Sequence, residues 1–421
     1  MSLKRMLLLT GLALLMTATG MRAQNNTNSP YTRYGYGALS DMGASNSRAM
    51  GGIGYGLRDK YHTNYLNPAS YTSIDSLTFK FEGGVTLQNT NFDNGTLKQN
   101  AKNTSLDYLS AHFRFGKTLA MSLGLLPYSN VGYDVTSIDT DKASTTEYTS
   151  TNYYGSGGLH QAYVGLGYKI TRNLSVGLNF SYLWGDVSHT LSQAFPYNSS
   201  AMVFTRIDEV SVKSYKLDLG VQYTRQLGKK HFATIGAVFS PGHNLNNSAY
   251  INETLGNETL GYTQTMNDTT AVYSIPTTFG LGAAYTYDNR LTIGLDGTYQ
   301  RWSKAKFMDN SEAFADRLKV AVGAEYVPNR QGSSFLQRTR YRFGTYWTKP
   351  YYKLEGKRAA DEYGVTGGFG IPLVGGRSIL NISAQYVRVS GKTSSFLNEN
   401  ILRVNIGVTF NERWFFKYRV N

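Results

Sequence analysis

The feature that most constrains this chain is a long series of segments in which apolar and polar residues alternate. The first of them, residues 77–87, places apolar side chains on one face and charged or polar side chains on the other. Period-two alternation over this length predicts a β-strand. About fourteen segments share the pattern, at residues 77–87, 109–115, 119–125, 162–168, 174–182, 215–223, 233–239, 279–285, 291–299, 318–326, 341–347, 363–371, 380–386 and 402–410. The sequence therefore predicts an all-β protein.

The connections between these segments distinguish a soluble sandwich from a membrane barrel. Short joins such as Gly116-Lys117 alternate strictly with long ones, and residues 129–157, 188–211 and 241–275 are among the long connections that we expect to be loops. Barrels of the outer-membrane type have short turns on one side and longer loops on the other. We therefore predict a transmembrane antiparallel β-barrel of about 14 strands, with both ends of the barrel on the short-turn side.

In such a barrel the apolar face contacts lipid and the polar side chains point into the lumen. The predicted lumen positions carry both signs of charge and include Lys80, Glu82, His112, Arg114, Lys216, Asp218, Asp296, Lys319, Glu325, Arg403 and Asn405. We interpret them as an internal salt-bridge network, with a charged permeation path as the alternative. Roughly eight strands already surround a packed interior, so a barrel of this size leaves space for something to fill it.

Residues 1–23 have the composition of a secretory signal peptide. Lys4 and Arg5 precede a nearly continuous apolar run at 6–16, and small residues follow before Gln24. The apolar run is too short for a transmembrane helix, which needs roughly 20 residues. We therefore expect export, and a multi-pass location in the bacterial outer membrane.

Composition narrows the partners of the exported chain. The sequence has no cysteine, so disulfide bonds cannot stabilise it outside the cytoplasm. The formal net charge of +14 suits contact with a polyanion. Charge alone does not choose between nucleic acid and anionic lipid, but lipid head groups are the nearer partner of an exported barrel. We predict outer-membrane lipids as partners and no nucleic acid.

Between the leader and the strands, a glycine-rich segment at 48–71 has no strand pattern. Gly51, Gly52 and Gly54 allow backbone angles that are closed to other residues. Pro68 pushes the residue before it toward an extended conformation. One interpretation is a compact plug inside the barrel, and the other is an irregular N-terminal arm. On the first, the chain divides into a signal peptide at 1–23, a hatch or plug at 24–75 and the barrel at 76–421.

This segment resembles a known family. Arg48-Ala-Met-Gly-Gly-Ile-Gly54, followed by Asn64-Tyr-Leu-Asn67-Pro68-Ala69 and a first strand, resembles the N-terminal hatch of the FadL-like long-chain fatty acid transporters, which carries an Asn-Pro-Ala motif. Leu125-Leu-Pro-Tyr-Ser-Asn-Val-Gly-Tyr133 is also similar to the pattern of that family after its third strand. The resemblance covers the hatch and, through the number of strands, the whole barrel.

The resemblance implies a monomeric barrel, plugged from within, that takes up a hydrophobic small-molecule ligand from outside. Release would follow a movement of the hatch, partly through a lateral opening. By this resemblance, Asn67, Pro68 and Ala69 would anchor the hatch, and the turn of Gly51, Gly52 and Gly54 would be its movable part. No residue that lines the substrate path follows from it.

Catalytic and metal-binding patterns are weak in this sequence. The six histidines are scattered without the spacing of metal ligands. Ser110 and His112 share the lumen face of one strand, as a hydrolase would require, but polar residues are expected there in any barrel. We predict no enzyme activity, no catalytic residue, no metal and no cofactor.

Two functions fit these features best. The leading prediction is passive uptake of small hydrophobic compounds, such as long-chain fatty acids, across the outer membrane. The alternative is a FadL-like barrel that acts as a scaffold or attachment partner in an outer-membrane secretion or assembly complex. The long polar connection at 241–275, with Glu253, Glu258 and Asp268, favours contacts with a protein partner. An open porin is a third possibility.

Overall fold

The computed structural model describes residues 27–413 except 42, 94, 96–97, 141–147, 199, 309–313, 355, 374–377 and 391–396. The predicted signal peptide lies outside the described residues. In chain order the strands are β1 (Ala38–Leu39), β2 (Thr78–Asp93), β3 (Lys98–Arg114), β4 (Leu119–Pro127), β5 (Ser129–Thr140), β6 (Tyr148–Gly157), β7 (His160–Lys169), β8 (Leu174–Ala194), β9 (Val203–Gly228), β10 (His231–Ser240), β11 (His243–Asn244), β12 (Asn247–Asn257), β13 (Gly261–Thr269), β14 (Ser274–Ile275), β15 (Thr278–Tyr287), β16 (Leu291–Gln300), β17 (Arg317–Tyr326), β18 (Arg340–Lys349), β19 (Lys353–Leu354), β20 (Lys357–Arg358), β21 (Asp361–Pro372), β22 (Ile379–Ser390) and β23 (Asn398–Arg413).

Fourteen of these strands form a closed antiparallel barrel, as the sequence predicts. The wall consists of β2 to β4, β7 to β10, β15 to β18 and β21 to β23. The ladder between β2 and β23 closes the ring, from Thr78↔Arg413 to Asp93↔Asn398. Every one of the alternating segments named from the sequence lies in a wall strand.

The two faces of the wall differ as predicted. Leu281 exposes 62% of its surface on the outside, whereas Asp296 on the neighbouring strand exposes 5% and faces the lumen. The apolar rows therefore look outward and the polar rows look inward. This arrangement suits a wall that is solvated by lipid, because pairing around the ring satisfies the backbone hydrogen bonds of the paired segments within the sheet.

Helices are few and short. The α-helices are α1 (Ser45–Arg48) and α2 (Phe335–Arg338), and 3-10 helices occur at Pro30–Arg33, Pro68–Ser73 and Trp302–Lys304. None of the helices in the described part of the chain has both the length and the hydropathy to cross a membrane.

Three connections that we expected to be loops are largely strands. Residues 129–140 and 148–157 form the paired strands β5 and β6, residues 188–211 lie mostly in the outer halves of β8 and β9, and residues 241–275 contain the β12–β13 hairpin. The expectation was wrong for a physical reason. Beyond the membrane both faces of a sheet can meet water, so the apolar-polar alternation of a wall strand fades while the backbone pairing continues.

These strands extend one side of the wall into a six-stranded sheet beyond the long-loop end of the barrel. β5 pairs with β6, β6 with β8, β8 with β9, β9 with β12, and β12 with β13. We call this the outer sheet and define it as residues 131–140, 148–157, 185–194, 203–212, 247–257 and 261–269. Long loops lie on the extracellular side in barrels of this type, so we place the outer sheet outside the cell.

Residues 27–75 lie within the ring of strands, and we call them the lumen segment. The segment starts near the long-loop end, where the Tyr31 hydroxyl donates to the Leu397 carbonyl at 2.5 Å. It ends near the short-turn end, where the Ile74 carbonyl accepts a hydrogen bond from Arg114 at 2.8 Å. The irregular segment of the sequence analysis therefore runs along the barrel interior. That it is a movable hatch bounded by residues 24 and 75 stays a prediction.

Candidate functional site

The glycine turn places the lumen segment directly against the wall. Gly51 has a φ of +72° and Gly52 a φ of +86°, both in the region that favours glycine. A Cβ at Gly51 would lie 2.8 Å from the Thr345 carbonyl oxygen, so the turn has no room for a side chain there. The Gly51 N–H donates to Thr366 Oγ1 at 2.9 Å, and this hydroxyl donates to the Ala49 carbonyl at 3.0 Å.

A single wall carboxylate holds the next turn. Asp296 of β16 accepts hydrogen bonds from the backbone N–H groups of Gly54, at 2.5 Å, and Tyr55, at 2.8 Å. Removing the carboxylate would leave two buried donors without this acceptor, which costs about 1–3 kcal/mol for each unsatisfied group. Asp296, predicted as a lumen residue, thus anchors the lumen segment.

The Asn67-Pro68-Ala69 motif is a second contact with the wall. Asn67 Oδ1 accepts the Ala69 N–H at 3.1 Å and caps the 3-10 helix that follows. Asn67 Nδ2 donates to the Val221 carbonyl of β9 at 3.1 Å. Pro68 sits so close to β8 that a Cβ built on Gly177 would lie 2.3 Å from the Pro68 carbonyl carbon. The motif therefore packs against a part of the wall where only glycine leaves enough room.

Buried ion pairs join the lumen segment to the wall. Arg48 Nη1 lies 3.0 Å from Asp107 Oδ1, and both side chains are buried. Asp41 Oδ1 lies 2.9 Å from Lys319 Nζ. Burial opposes the ionisation of Asp41, but the nearby cations Lys319, Arg403 and Arg48 hold its pKa well below its usual range. Because an unpaired buried charge is costly, each pair resists displacement of the segment.

A further charged cluster lies toward the short-turn end. His62 Nδ1 lies 2.6 Å from Asp59 Oδ2 within the lumen segment. On the wall, Glu325 accepts from Arg340 Nη1 at 3.0 Å and from Arg342 Nε at 2.8 Å. Burial lowers the pKa of His62 below its ordinary value, although the Asp59 carboxylate opposes this shift. The sequence analysis named Glu325 for the lumen but missed both arginines.

An aromatic cluster closes the long-loop end. Trp302 is completely buried between Tyr36 of the lumen segment and Tyr351, with its ring centroid 4.3 Å from that of Tyr351. Phe314 and Phe307 complete the cluster with edge-on contacts. The apolar surface at this end is therefore covered by side chains of the chain itself.

In the described part of the chain, the wall lacks strand pairing along part of one side. The β3–β4 ladder ends at Leu109↔Leu125, and no described residue beyond it continues that ladder outward. Instead the chain turns inward after β4, and Ser129 and Asn130 pair with β1 of the lumen segment. Among the described strands, the outer half of β3 therefore has β2 as its ladder partner on one side and no ladder partner on the other. We call this gap, between residues 98–108 and residues 128–131, the lateral seam.

A cavity of about 190 Å³ lies behind the lateral seam. Ser105 and Asp107 line it on the β3 side of the seam, and Pro127 and Asn130 line it on the other. Its deeper walls are partly aromatic and partly charged, and include Tyr31, Tyr346, Tyr351, Asp41, Arg48 and Arg403. A larger and more polar cavity, of about 710 Å³, opens at the short-turn end beside Arg58 and Lys60. The lumen segment separates the two.

One family model matches nearly the whole sequence, namely that of BamG over residues 3–421. The chain belongs to the BamG family. No curated protein sequence matches it.

Solved structures of two toluene transporters and of a FadL homologue have a fold similar to that of this BamG-family chain. The Pseudomonas putida toluene transporter TodX has a TM-score of 0.61 at 15% identity, covering 89% of this chain and 100% of its own. The Ralstonia pickettii toluene transporter TbuX has a TM-score of 0.60 at 16% identity, covering 89% and 99%. A Pseudomonas aeruginosa FadL homologue has a TM-score of 0.56 at 14% identity, covering 90% and 98%. At these identities the likeness establishes the fold, and the FadL-like resemblance is confirmed at that level.

The structure also places the residues that were weighed for catalysis in this BamG-family protein. His112 Nε2 donates to the Tyr71 carbonyl at 3.0 Å, which ties this wall histidine to the lumen segment. Within the described ranges, no three His, Asp or Glu side chains are grouped so that they could hold a metal ion. The geometry thus gives His112 a role in fixing the lumen segment.

Proposed function

We propose that this protein passes small hydrophobic compounds across the outer membrane by diffusion, with the lateral seam as the entrance or exit on the lipid side. The observation that supports the proposal is the seam itself, because residues from both of its sides line the internal cavity. Leu106, exposed on the lipid-facing side of β3, marks where the seam meets the apolar belt. No bound cofactor or energy source is needed for diffusion down a gradient.

The size of the cavity bears on the substrate. An apolar cavity of about 150 Å³ is enough to bind benzene, and the cavity behind the seam, which is lined by both aromatic and charged side chains, measures about 190 Å³. A long-chain fatty acid would not fit without displacing the lumen segment. We therefore propose single-ring compounds as the preferred cargo, and the Gly51 turn and the Asn67-Pro68-Ala69 motif as the parts that shift or hold when cargo passes toward the short-turn end.

Uptake into proteoliposomes tests this role. Ser105→Trp fills the cavity at the seam, whereas Thr104→Trp adds the same volume on the exposed side of the same strand. We expect the rate of radiolabelled toluene uptake to fall about tenfold in the Ser105 variant, which corresponds to an activation free energy higher by roughly 1.4 kcal/mol. The rate should stay near that of the wild type in the Thr104 variant. Wild-type vesicles that take up toluene no faster than protein-free vesicles would refute transport.

A second candidate is an attachment role, in which the barrel holds a protein partner at the cell surface. Two features favour it: the buried ion pairs that lock the lumen segment, and an outer sheet that rises beyond the membrane. Purification in mild detergent separates the candidates. A stoichiometric protein partner supports attachment, and a small hydrophobic molecule retained in the lumen supports transport.

A further inference from the structure

The outer sheet ends on one side in an unprotected strand. β13 pairs with β12 from Ala249↔Thr269 to Asn257↔Gly261, without a register shift. Among the described residues no strand pairs with its other edge, and the following wall strand, β15, already pairs with β10 and β16. At the opposite edge, β5 is tied to the lumen segment near its base, where Ser129 and Asn130 pair with β1 and Gly132 exchanges hydrogen bonds with Thr32. In the part of the chain that the structure describes, β13 is unpaired on its outer side along its full length, so it offers a row of backbone donors and acceptors from 261 to 269.

Edges of this kind are usually blocked in natural proteins. Lysine, proline and bulges are the common devices, because they prevent another strand from adding to the sheet. The sequence of β13, Gly-Tyr-Thr-Gln-Thr-Met-Asn-Asp-Thr, contains neither lysine nor proline. It displays two large apolar side chains on the same face, with Tyr262 exposed to 64% and Met266 to 61%. The edge is thus open to an added strand and carries apolar contacts for it.

The charge of the outer sheet is opposite to that of the chain as a whole. The chain carries a formal net charge of +14. The outer sheet and its β12–β13 turn have a single basic residue, Arg206, which pairs with Asp208 at 3.0 Å and Glu253 at 3.3 Å. Their acidic residues are Asp134, Asp139, Asp186, Asp208, Glu209, Glu253, Glu258 and Asp268. Most of the carboxylates therefore have no basic partner within the sheet.

This acidity selects among the possible occupants of the edge. Anionic lipid head groups would be repelled by the carboxylates. A second copy of the chain, added through its own β13, would bring two acidic edges together, and like charges that face each other destabilise a strand pair. A basic polypeptide segment is attracted, and in an extended conformation it can use every free backbone group of the edge.

We propose that the β13 edge of the outer sheet binds an extended, lysine- or arginine-rich segment of a partner protein by strand addition. The inference rests on the attachment role proposed above and names its surface and its partner chemistry. Backbone hydrogen bonds to residues 261–269 supply the pairing. Tyr262 and Met266 contact apolar side chains of the guest strand, while Glu258 and Asp268 pair with its cations.

The test uses the full-length protein in lipid nanodiscs and two synthetic peptides of about ten residues, which is the upper end of common strand lengths and enough to span residues 261–269. One peptide repeats Val-Val-Lys-Lys, so that each face of the extended strand carries both valine and lysine, and the other repeats Val-Val-Glu-Glu. We expect the lysine peptide to slow amide hydrogen exchange at residues 261–269, with a protection that weakens as salt is raised. Equal protection by the glutamate peptide, or no protection of β13 by either peptide, would overturn the proposal.

Matched variants at one exposed position sharpen the result. Met266→Lys adds a cation to the edge, whereas Met266→Gln removes the apolar side chain without adding charge. We expect affinity for the lysine peptide to fall about tenfold or more in the lysine variant and by less in the glutamine variant, since like charge across an interface suppresses binding. Equal affinities in the two variants would contradict the charge selection.

The native complex separates this inference from the attachment role itself. If a partner co-purifies with the wild type and is lost with Met266→Lys but retained with Met266→Gln, both stand. If the partner co-purifies equally with all three, attachment stands and the β13 edge is the wrong surface. If the wild type has no partner, the attachment role fails, whatever the peptides do.

Discussion

At the residue scale, the charges of the lumen act in pairs between the lumen segment and the wall. Arg48 pairs with Asp107 of β3 and also donates, at 3.4 Å in each case, to Thr86 of β2 and Asn405 of β23. It therefore contacts both strands of the ladder that closes the barrel. Losing a cation at this position affects packing on three strands at once.

Arg48→Met is expected to lower the free energy of unfolding by about 3–5 kcal/mol, because Asp107 would remain as an uncompensated buried charge. Chemical denaturation in detergent, followed by tryptophan fluorescence, measures this loss. The double variant Arg48→Met with Asp107→Leu is the control, and it should recover much of the stability since no charge is left unpaired. A double variant as unstable as the single one would show that the pair is not the cause.

A pH dependence follows from His62. Burial keeps the folded-state pKa of this imidazole below its ordinary value, which is about 6.5 in an unfolded chain. In this pH range the unfolded state therefore binds a proton that the folded state does not bind. As a result, the free energy of unfolding decreases as the pH falls below about 6.5. The lowered pKa of Asp59 acts in the same direction but only below about pH 4, so it does not interfere.

Between about pH 7.5 and pH 5.5 we expect the wild type to lose stability relative to His62→Gln, as seen in the difference between their denaturation midpoints. The measurement is a denaturant titration at each pH with both proteins. An identical pH dependence in the two proteins would assign the effect to other groups.

The sequence analysis found some of these residues and missed others for a clear reason. Asp296, Lys319 and Glu325 were found because each falls on the polar side of a regular alternation. Arg340 and Arg342 were missed because their strand showed a less regular pattern. Which wall residue meets which residue of the lumen segment was not predictable, since those contacts join positions up to several hundred residues apart, such as Ser29 and Glu399.

At the element scale, the seat of the lumen segment depends on wall glycines. Gly177 faces inward and has no room for a methyl group beside Pro68, while Gly297 on β16 has nothing within 4 Å of an added Cβ. Gly177→Ala should displace the Pro68–Ser73 helix, at a cost of about 1–3 kcal/mol for overpacking, and Gly297→Ala should not. Trypsin cleavage after Arg58 or Lys60 reports the displacement.

The barrel must stay assembled for this comparison to be informative. The heat-dependent shift in gel mobility that is typical of folded outer-membrane barrels provides the control. A folded Gly177→Ala protein that is cleaved no faster than Gly297→Ala would contradict the proposed seat.

Strand number was predictable from the sequence, and strand length was not. The number follows from the belt of alternating apolar residues, which every wall strand must present to lipid. The outer halves of β8 and β9 leave that belt, so their sequences lose the signal. The lateral seam was also beyond the reach of sequence patterns, because it results from the pairing of Ser129 and Asn130 with β1 in the lumen rather than from any change in composition.

At the scale of the whole molecule, the lumen segment determines whether the barrel conducts ions. The intact protein in planar bilayers should show no steady conductance, since the segment and the aromatic cluster fill the lumen. Deletion of residues 30–74 should give a stable, water-filled pore, because a barrel of 14 strands is wider than its own wall side chains can fill. A silent deletion variant that is inserted and folded would contradict this account of the interior.

The path of residues 27–75 also bears on how the protein is made. The segment runs through the closed barrel from one end to the other and continues directly into the first wall strand. Such a segment is not easily inserted once the last wall strand has paired. Arg48 donates hydrogen bonds to both the first wall strand, β2, and the last, β23, so these bonds form only when the two strands have come together. We therefore expect the β-sheet to fold around the N-terminal segment during biogenesis. Closure of the barrel and enclosure of the segment would then occur in the same step.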